Sequence, residues 1–261
     1  MKYDLEKHVV RAVELKQIPR FLYKYRSCGL RTDSIIKDSE LWFSRSKDFN
    51  DPFDCNLSET NSHRLKDYKN YISRSGALTN EQFKAIIKVV KKDPKFLLNT
   101  ALETREKTLN DHGLLSLSKN HDNILMWSHY SSSHQGIVIA LDIPKDPRFF
   151  SMLLIVQYQN TYKKLNMYTE TFKDKNYIHR ILATKAELWK YEEEVRVLKK
   201  PHGLHAINRS AISKIYFGCS TPPEEIRRFK ELCKSSNMRH IKFYKGSIVN
   251  GAFKLTFSKI T

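Results

Sequence analysis

Three stretches of the chain group residue types that can do chemistry. The first is Trp189-Lys190-Tyr191-Glu192-Glu193-Glu194-Val195-Arg196. A strand over 192–198 projects Glu192, Glu194 and Arg196 from one face, because side chains alternate along a strand. Two carboxylates at that spacing can hold ribose hydroxyls and stabilise an oxocarbenium-like cation, and the arginine can hold one of them ionised. The same face also fits a solvated surface with Glu–Arg pairing. Against that, acidic residues are depleted from strands, and here they interrupt a very basic chain.

The second stretch runs from Ser116 to Gly136. Ser116 and Ser118 share one face of a strand over 114–118. Met126-Trp127-Ser128-His129-Tyr130 follows on a short helix at about 122–130, and then His134-Gln135-Gly136. His129 and His134 are five apart and miss the i, i+4 spacing of a helical zinc pair. These rings either line a nucleotide site or put Trp127 and Tyr130 in the core, with the histidines at a helix end. The third stretch is Leu22-Tyr23-Lys24-Tyr25-Arg26-Ser27. As a strand over 21–26 it points Lys24 and Arg26 one way and the tyrosines the other. Either the cations grip a nucleotide beside aromatic rings, or this is an edge strand with basic residues in water.

The surrounding pattern must position these groups. A helix is predicted over 4–17, stopped by Pro19, and a short one at about 32–37 precedes a strand at 41–44. Asn50-Asp51-Pro52-Phe53-Asp54 is turn chemistry. Two helices follow. Thr79 and Gln82 form a capping box for the first, whose stripe is Phe83, Ile86, Ile87 and Val90. Asp93-Pro94 opens the second, which runs to about Asn110. Strands are predicted at 136–142, 152–158, 212–218, 239–244 and 252–258. Helices are predicted at about 174–189 and at 223–234, the latter capped by Thr221 with Glu224. Strands in clusters with helices at irregular intervals indicate α+β with a mixed, mostly antiparallel sheet. The expected organisation is one domain over 1–261 with a helical insertion at about 60–111. No GxGxxG or GxxxxGK[ST] occurs, and only 8 glycines are present, which disfavours Rossmann and P-loop sites.

Composition names a partner class. Lys and Arg total 46 against 28 Asp and Glu, a net charge of +18. That excess favours a polyanion, with nucleic acid preferred because no polybasic tail or single amphipathic helix points to a membrane. Lys84, Lys88, Lys91 and Lys92 fall on the wet side of their helix as a nucleic-acid-binding face. The charged first residues and the short apolar run at 152–156 predict a soluble, cytoplasmic protein without a membrane span. Cys28, Cys55, Cys219 and Cys233 form no CxxC pair and are expected to be reduced and mostly buried.

Several runs together resemble the bacterial and phage "domain of unknown function 2971" family, over about Phe21 to Gly218. They are L-Y-K-Y-R-S from Leu22, E-L-W-F-S from Glu40, F-N-D-P-F-D from Phe49, S-L-S from Ser116, N-I-L-M-W-S-H-Y from Asn123, H-x-G-I-V-I-A-L-D from His134 and W-K-Y-E-x-E-V-R-V from Trp189. That family name implies no activity. More distantly, the order Arg26, Ser116-Leu117-Ser118, Glu192-Glu193-Glu194 resembles ADP-ribosyltransferases. The likeness implies NAD as the substrate and an ADP-ribosyltransferase-like sheet. Arg26 would contact NAD phosphate or ribose, Ser116 would brace the site, Glu194 would hold the nicotinamide ribose and Glu192 would orient the acceptor. A second branch of that superfamily would recruit Lys24 or Tyr25, with Tyr130. Ser118, Trp127 and His129 complete the expected cofactor-binding set.

The resulting expectation is an NAD-dependent ADP-ribosyltransferase-like enzyme acting on nucleic acid or a nucleic-acid-associated target. It would be a toxin or phage-defence effector with a neutralising antitoxin as a candidate partner, and no metal. Glu194→Gln is then expected to abolish transfer and leave folding almost untouched. Two alternatives stand. A metal-dependent nuclease would use Asp51, Asp54, His129, His134 and the glutamates as ligands. A non-enzymatic nucleic-acid-binding module would need none of them.

Overall fold

A computed structural model describes residues 4–75, 79–171 and 177–261. Helix α1 (Leu5–Glu14) leads into strand β1 (Phe21–Arg26), α2 (Leu30–Asp38) and β2 (Glu40–Phe43). Helices α3 (Leu65–Ser75), α4 (Asn80–Lys92) and α5 (Phe96–Asn110) form the helical insertion. Then come β3 (Gly113–Ser118), α6 (Ile124–Tyr130), β4 (Ile137–Asp142), β5 (Leu153–Ile155), β6 (Gln157–Gln159), α7 (Met167–Glu170), α8 (Tyr177–Ala183) and β7 (Thr184–Ala186). A 3-10 turn (Glu187–Glu192) precedes β8 (Glu194–Lys199), β9 (Gly203–Ala206), β10 (Ile212–Phe217), α9 (Pro223–Ser235), β11 (Lys242–Ile248) and β12 (Leu255–Ile260).

Eight strands form one sheet in the order β12-β11-β10-β4-β1-β3-β8-β5. Its pairs are antiparallel except β10–β11. That one parallel pair is bridged by α9, as a parallel connection requires a long crossover. The fold class is therefore α+β, with a mixed and mostly antiparallel sheet. The central strand β4 is buried at every position and is an almost unbroken apolar run, Ile137-Val138-Ile139-Ala140-Leu141, because both its faces are covered.

The two faces bury different cores. Leu22, Leu115, Leu117, Ile139, Val195 and Ile215 point toward a cluster that includes Ile35 of α2 and Phe229 of α9. On the other face, Tyr25, Val138 and Tyr216 pack with Trp127 of α6. Leu114 and Leu198, from the β3–β8 end, join the core of the helical insertion with Tyr68, Leu97 and Ala101. Backbone close approach fixes the junction of α6 with the sheet. A Cβ at Gly136 would lie 2.2 Å from the Arg26 carbonyl oxygen, and one at Gly218 would lie 2.0 Å from that of His134.

The strand at 21–26 and the Thr79–Gln82 capping box are as read from sequence. Other expectations change. Helix α3 adds to the two helices expected here, packing Leu65, Tyr68, Tyr71 and Ile72 on the core of the insertion. Helix α5 starts at Phe96, since Asp93 turns its side chain to the Lys95 amide before the helix begins. The strand expected over 152–158 breaks at Val156 into β5 and β6, which lie in different sheets. Of the helix expected at 174–189, residues 174–176 lie outside the described residues. The remainder is α8, β7 and the 3-10 turn. Thr221 does not cap α9. Its hydroxyl donates to the Gly136 carbonyl, and Pro222 holds the capping position. The last two strands begin three residues later than expected, and β9, paired with β2, was not anticipated.

Candidate active site

Strands β1, β3 and β8, which carry the three motif stretches, are consecutive neighbours in the sheet. Tyr23 pairs with Ser118, and Ser118 with Glu194, so three motifs meet in one cross-strand row. The β1–β4 ladder pairs all six β1 residues, whereas β1–β3 pairs only Tyr23 with Ser118. The sheet thus forks beside that pair. Lys24 fills the fork, and its ammonium donates to the Ser116 carbonyl at 2.9 Å in place of a strand amide. Burial first, and then the Arg26 charge, bring the Lys24 ammonium down to about 8.

Below the fork lies an ionic cluster. Arg196, with 0% exposure, donates from Nε to Glu194 Oε1 and from Nη2 to Oε2, both at 2.9 Å. It also reaches Asp54 at 2.6 Å and the Leu182 carbonyl at 2.8 Å. Lys185 bonds Glu192 and lies 3.2 Å from Glu194 and 3.6 Å from Asp54. Tyr130 donates to Glu192 Oε1 at 2.6 Å, and the Glu194 amide donates to the Tyr158 hydroxyl at 2.8 Å. Three carboxylates (Asp54, Glu192 and Glu194) thereby share two cations, Arg196 and Lys185.

The carboxylates are tuned apart. Burial alone would raise Glu194, but the Arg196 guanidinium and then Lys185 outweigh it and hold the carboxyl at about 2. Burial raises Glu192 above its ordinary value despite Lys185 and Tyr130. Burial opposes the Lys185 charge, yet Glu194 and Glu192 hold that ammonium protonated well above the ordinary range. An ionised carboxylate offers about four acceptor sites. Glu194 has three bonds, from Arg196 twice and Lys185 once, while Glu192 has two, from Lys185 and Tyr130. Glu192 is the carboxylate with more acceptor capacity to spare.

Lys24, Tyr25, Ser116, Ser118, Tyr130, Glu192 and Glu194 all line one cavity of about 120 Å³. That is close to the size that holds a single six-membered ring, roughly 150 Å³ for benzene. Tyr23, Phe49, Asn50, Asp54 and Lys185 also line it. Of these, Asp54 carries a signal in the sequence only as a nuclease ligand and as part of the turn at 50–54. Lys185 carries no signal in so basic a sequence, since its partners come from β8 and the turn before it.

Three expected site residues lie elsewhere. Arg26 shares a strand face with Lys24 but stands at the end of β1, where its guanidinium bonds the Thr32 hydroxyl on α2 instead. Trp127 is fully buried and donates its indole N–H to the His121 carbonyl. His129 is exposed and meets the Tyr191 hydroxyl at 3.1 Å, so Ser116 and Glu194 share the cleft without it. Glu192 is not in the strand: β8 starts at Glu194, and Glu193 between them is left-handed with φ 45°. That kink, rather than alternation, brings both carboxylates to Lys185. Of the nuclease ligands, Asp54 does join Glu192 and Glu194, around Lys185 and Arg196, but Asp51, His129 and His134 are engaged elsewhere. His134 stacks on Trp127, and Asp51 caps the Phe53 amide.

Lys84, Lys88, Lys91 and Lys92 are all exposed on α4, while Phe83, Ile86 and Val90 pack on the core of the insertion. Of the free thiols, Cys55 and Cys233 are buried and Cys28 and Cys219 are half-buried. Among the described residues no helix is long and apolar enough to cross a membrane.

Residues 126–197 match the family model described as "Protein of unknown function (DUF2971)". The resemblance to that family stands on this segment, which carries Tyr130, Lys185, Glu192, Glu194 and Arg196. No curated protein and no solved structure matches the chain.

Proposed function

We propose that the forked cleft takes the nicotinamide end of NAD and that the protein transfers ADP-ribose to nucleic acid or a nucleic-acid-associated target. The observation that carries this reading is the adjacency of β1, β3 and β8, with Lys24, Ser116, Ser118, Glu192 and Glu194 on a single ring-sized cavity. NAD would supply the ADP-ribosyl group, with nicotinamide leaving. Glu194, locked ionised by Arg196, presents a fixed negative charge where positive charge develops on the ribosyl carbon. Preorganised charge of this kind is usually the largest catalytic contribution. Glu192, with its raised pKa and free acceptor sites, takes the proton of the attacking acceptor. Lys24 supplies the cation for the phosphates. The first-strand role passes from Arg26 to Lys24, because only Lys24 lines the cavity.

The test is labelled NAD incubated with total RNA, DNA and protein, with and without chelator, using wild type and Glu192→Gln. Transfer to one of the three pools, insensitive to chelator and lost in the variant, is the expected result. No transfer to any pool by folded wild type would sink the proposal. As a toxin or defence effector, the wild type would arrest growth on expression and Glu192→Gln would not.

A further inference from the structure

Beside the cleft, the sheet face that carries Tyr23 holds a run of aromatic rings. Tyr23 stacks on His121 with centroids 5.0 Å apart, and His121 sits 4.4 Å from Tyr216. Tyr216 stacks on Tyr244 at 4.9 Å and 19°. Tyr216 is buried beneath, but Tyr23, His121 and Tyr244 are only half-buried, His121 also packing on Phe257.

Cations flank the rings. Lys214 lies directly opposite Lys242 in the β10–β11 register, and Lys259 opposite Tyr244. Lys214 also sits 4.1 Å over the Phe21 ring, with Arg20 over the same ring at 5.3 Å. Like charges placed directly across a ladder destabilise it. Asp142, the acidic neighbour that acts on Lys214, gives both its oxygens to Arg20. The Lys214 ammonium is lowered by burial and then by Lys242. Half-buried rings interleaved with a cross-strand pair of cations match the pattern of single-strand binding surfaces, where bases stack on rings and lysines follow the phosphates.

We infer that the face formed by Tyr23, His121, Tyr244, Lys214 and Lys242 is a stacking platform for single-stranded nucleic acid. Resting on the proposed transfer chemistry, it names the acceptor class as an unpaired strand. Tyr23 belongs to both the platform and the cavity, so a strand stacked there would bring a base to the mouth of the cleft. A duplex keeps its bases stacked on one another and offers the rings nothing, so only its phosphates would contribute.

The experiment is fluorescence anisotropy without NAD. It compares a fluorescein-labelled oligo-dT or oligo-U of about twelve nucleotides, the length of one such site, with a duplex of equal length. The single strand should bind about tenfold or more tightly than the duplex. Tyr244→Ala should raise Kd by about fivefold or more, the loss of one stacked base, and Tyr244→Phe should restore it. Lys214→Gln with Lys242→Gln should reduce the salt slope by about 1.4, at roughly 0.7 per single-strand phosphate contact. Melting curves verify the fold of each variant, and exposed Lys242 tests the surface independently of any packing loss at Tyr244. Equal binding of duplex, an unchanged salt slope in the lysine variant, or equal capture by phosphatidylserine vesicles would overturn the inference. Because NAD is absent, strand binding without transfer would defeat the chemistry alone, and transfer without strand binding would defeat the platform alone.

Discussion

Arg196 grips Glu194 with two parallel hydrogen bonds, each 2.9 Å, from two residues along the same strand. Both residues are buried, and Asp54 closes on the guanidinium from the turn before the insertion. The pair is therefore part of the interior as well as of the cleft. Breaking a buried pair from one side costs about 3–5 kcal/mol, because the remaining charge is left uncompensated. Glu194→Gln should thus lower stability by that order, measured by urea unfolding. The sequence alone led to the opposite expectation, an almost untouched fold, since it treated Glu194 as a cleft residue only. An unchanged denaturation midpoint would show that Arg196 is held adequately by Asp54 and Leu182.

The same pair sets an acid limit. The Glu194 carboxyl falls from 4.5 to about 2 on folding, so the unfolded chain binds its proton more tightly. Its contribution is complete above pH 4.5 and is lost as pH falls toward 2, about 3 kcal/mol in all. Stability measured from pH 6 to 2.5 should decline steeply below 4.5, and Glu194→Gln should flatten that decline. Parallel curves for the two proteins would contradict the assignment.

Glu192 behaves in the opposite sense. Burial raises its pKa, so the folded chain binds its proton more tightly than the unfolded chain. Stability from this group is present below the ordinary value and is lost as pH rises through the folded value, which means its charge costs stability at pH 7. Glu192→Gln should therefore be tolerated, with a melting temperature at or slightly above wild type, because Lys185 keeps Glu194 and Asp54. Under the proposed chemistry, transfer should nonetheless fall by about 100-fold or more, the usual scale for loss of a general base. A folded variant with full transfer activity would remove Glu192 from the mechanism.

What the sequence discloses follows from how local each signal is. Alternation placed β1 at 21–26 to the residue, and the resemblance to ADP-ribosyltransferases named Ser116, Ser118, Glu192 and Glu194 as one site. That these strands lie together was expected, and β1, β3 and β8 are neighbours; the geometry of their meeting was not legible. It depends on the β1–β3 fork, a register effect across about ninety residues, and on the left-handed Glu193, which mimics strand alternation without being strand. Lys185 lies in unremarkable local sequence, and it and Asp54 gain their place beside Glu194 only from partners brought by folding. Arg26 and Trp127 illustrate the reverse case: residues of suggestive type are drawn into packing that leaves them outside the cleft.

Two basic surfaces are candidates for the proposed nucleic-acid contact, and salt dependence separates them. Lys84, Lys88, Lys91 and Lys92 are exposed on α4, away from the ring-bearing sheet face. Replacing all four by Gln should weaken single-strand and duplex binding alike and reduce the salt slope, without changing the preference between them. Loss of the single-strand preference in this variant would move the recognition surface from the sheet to α4.

Lys24 gives the last prediction, and its sign is unusual for a cation in a cleft. Its ammonium is lowered from 10.5 to about 8, so the unfolded chain binds the proton more tightly. Its charge therefore costs about 3 kcal/mol at pH 7, and stability from this group rises as pH passes from 8 to 10.5. Lys24→Met relieves that cost but strands the Ser116 carbonyl, a loss of about 1–3 kcal/mol. The two nearly offset, so the variant should melt within a few degrees of wild type at pH 7. Ligand affinity should respond quite differently. A diphosphate in the cleft needs the charged form, so wild type should bind NAD more tightly at pH 7 than at pH 9.5. Lys24→Met should bind weakly at both. Calorimetric titration at the two pH values measures this directly, and an identical pH dependence in wild type and variant would exclude Lys24 as the phosphate-contacting cation.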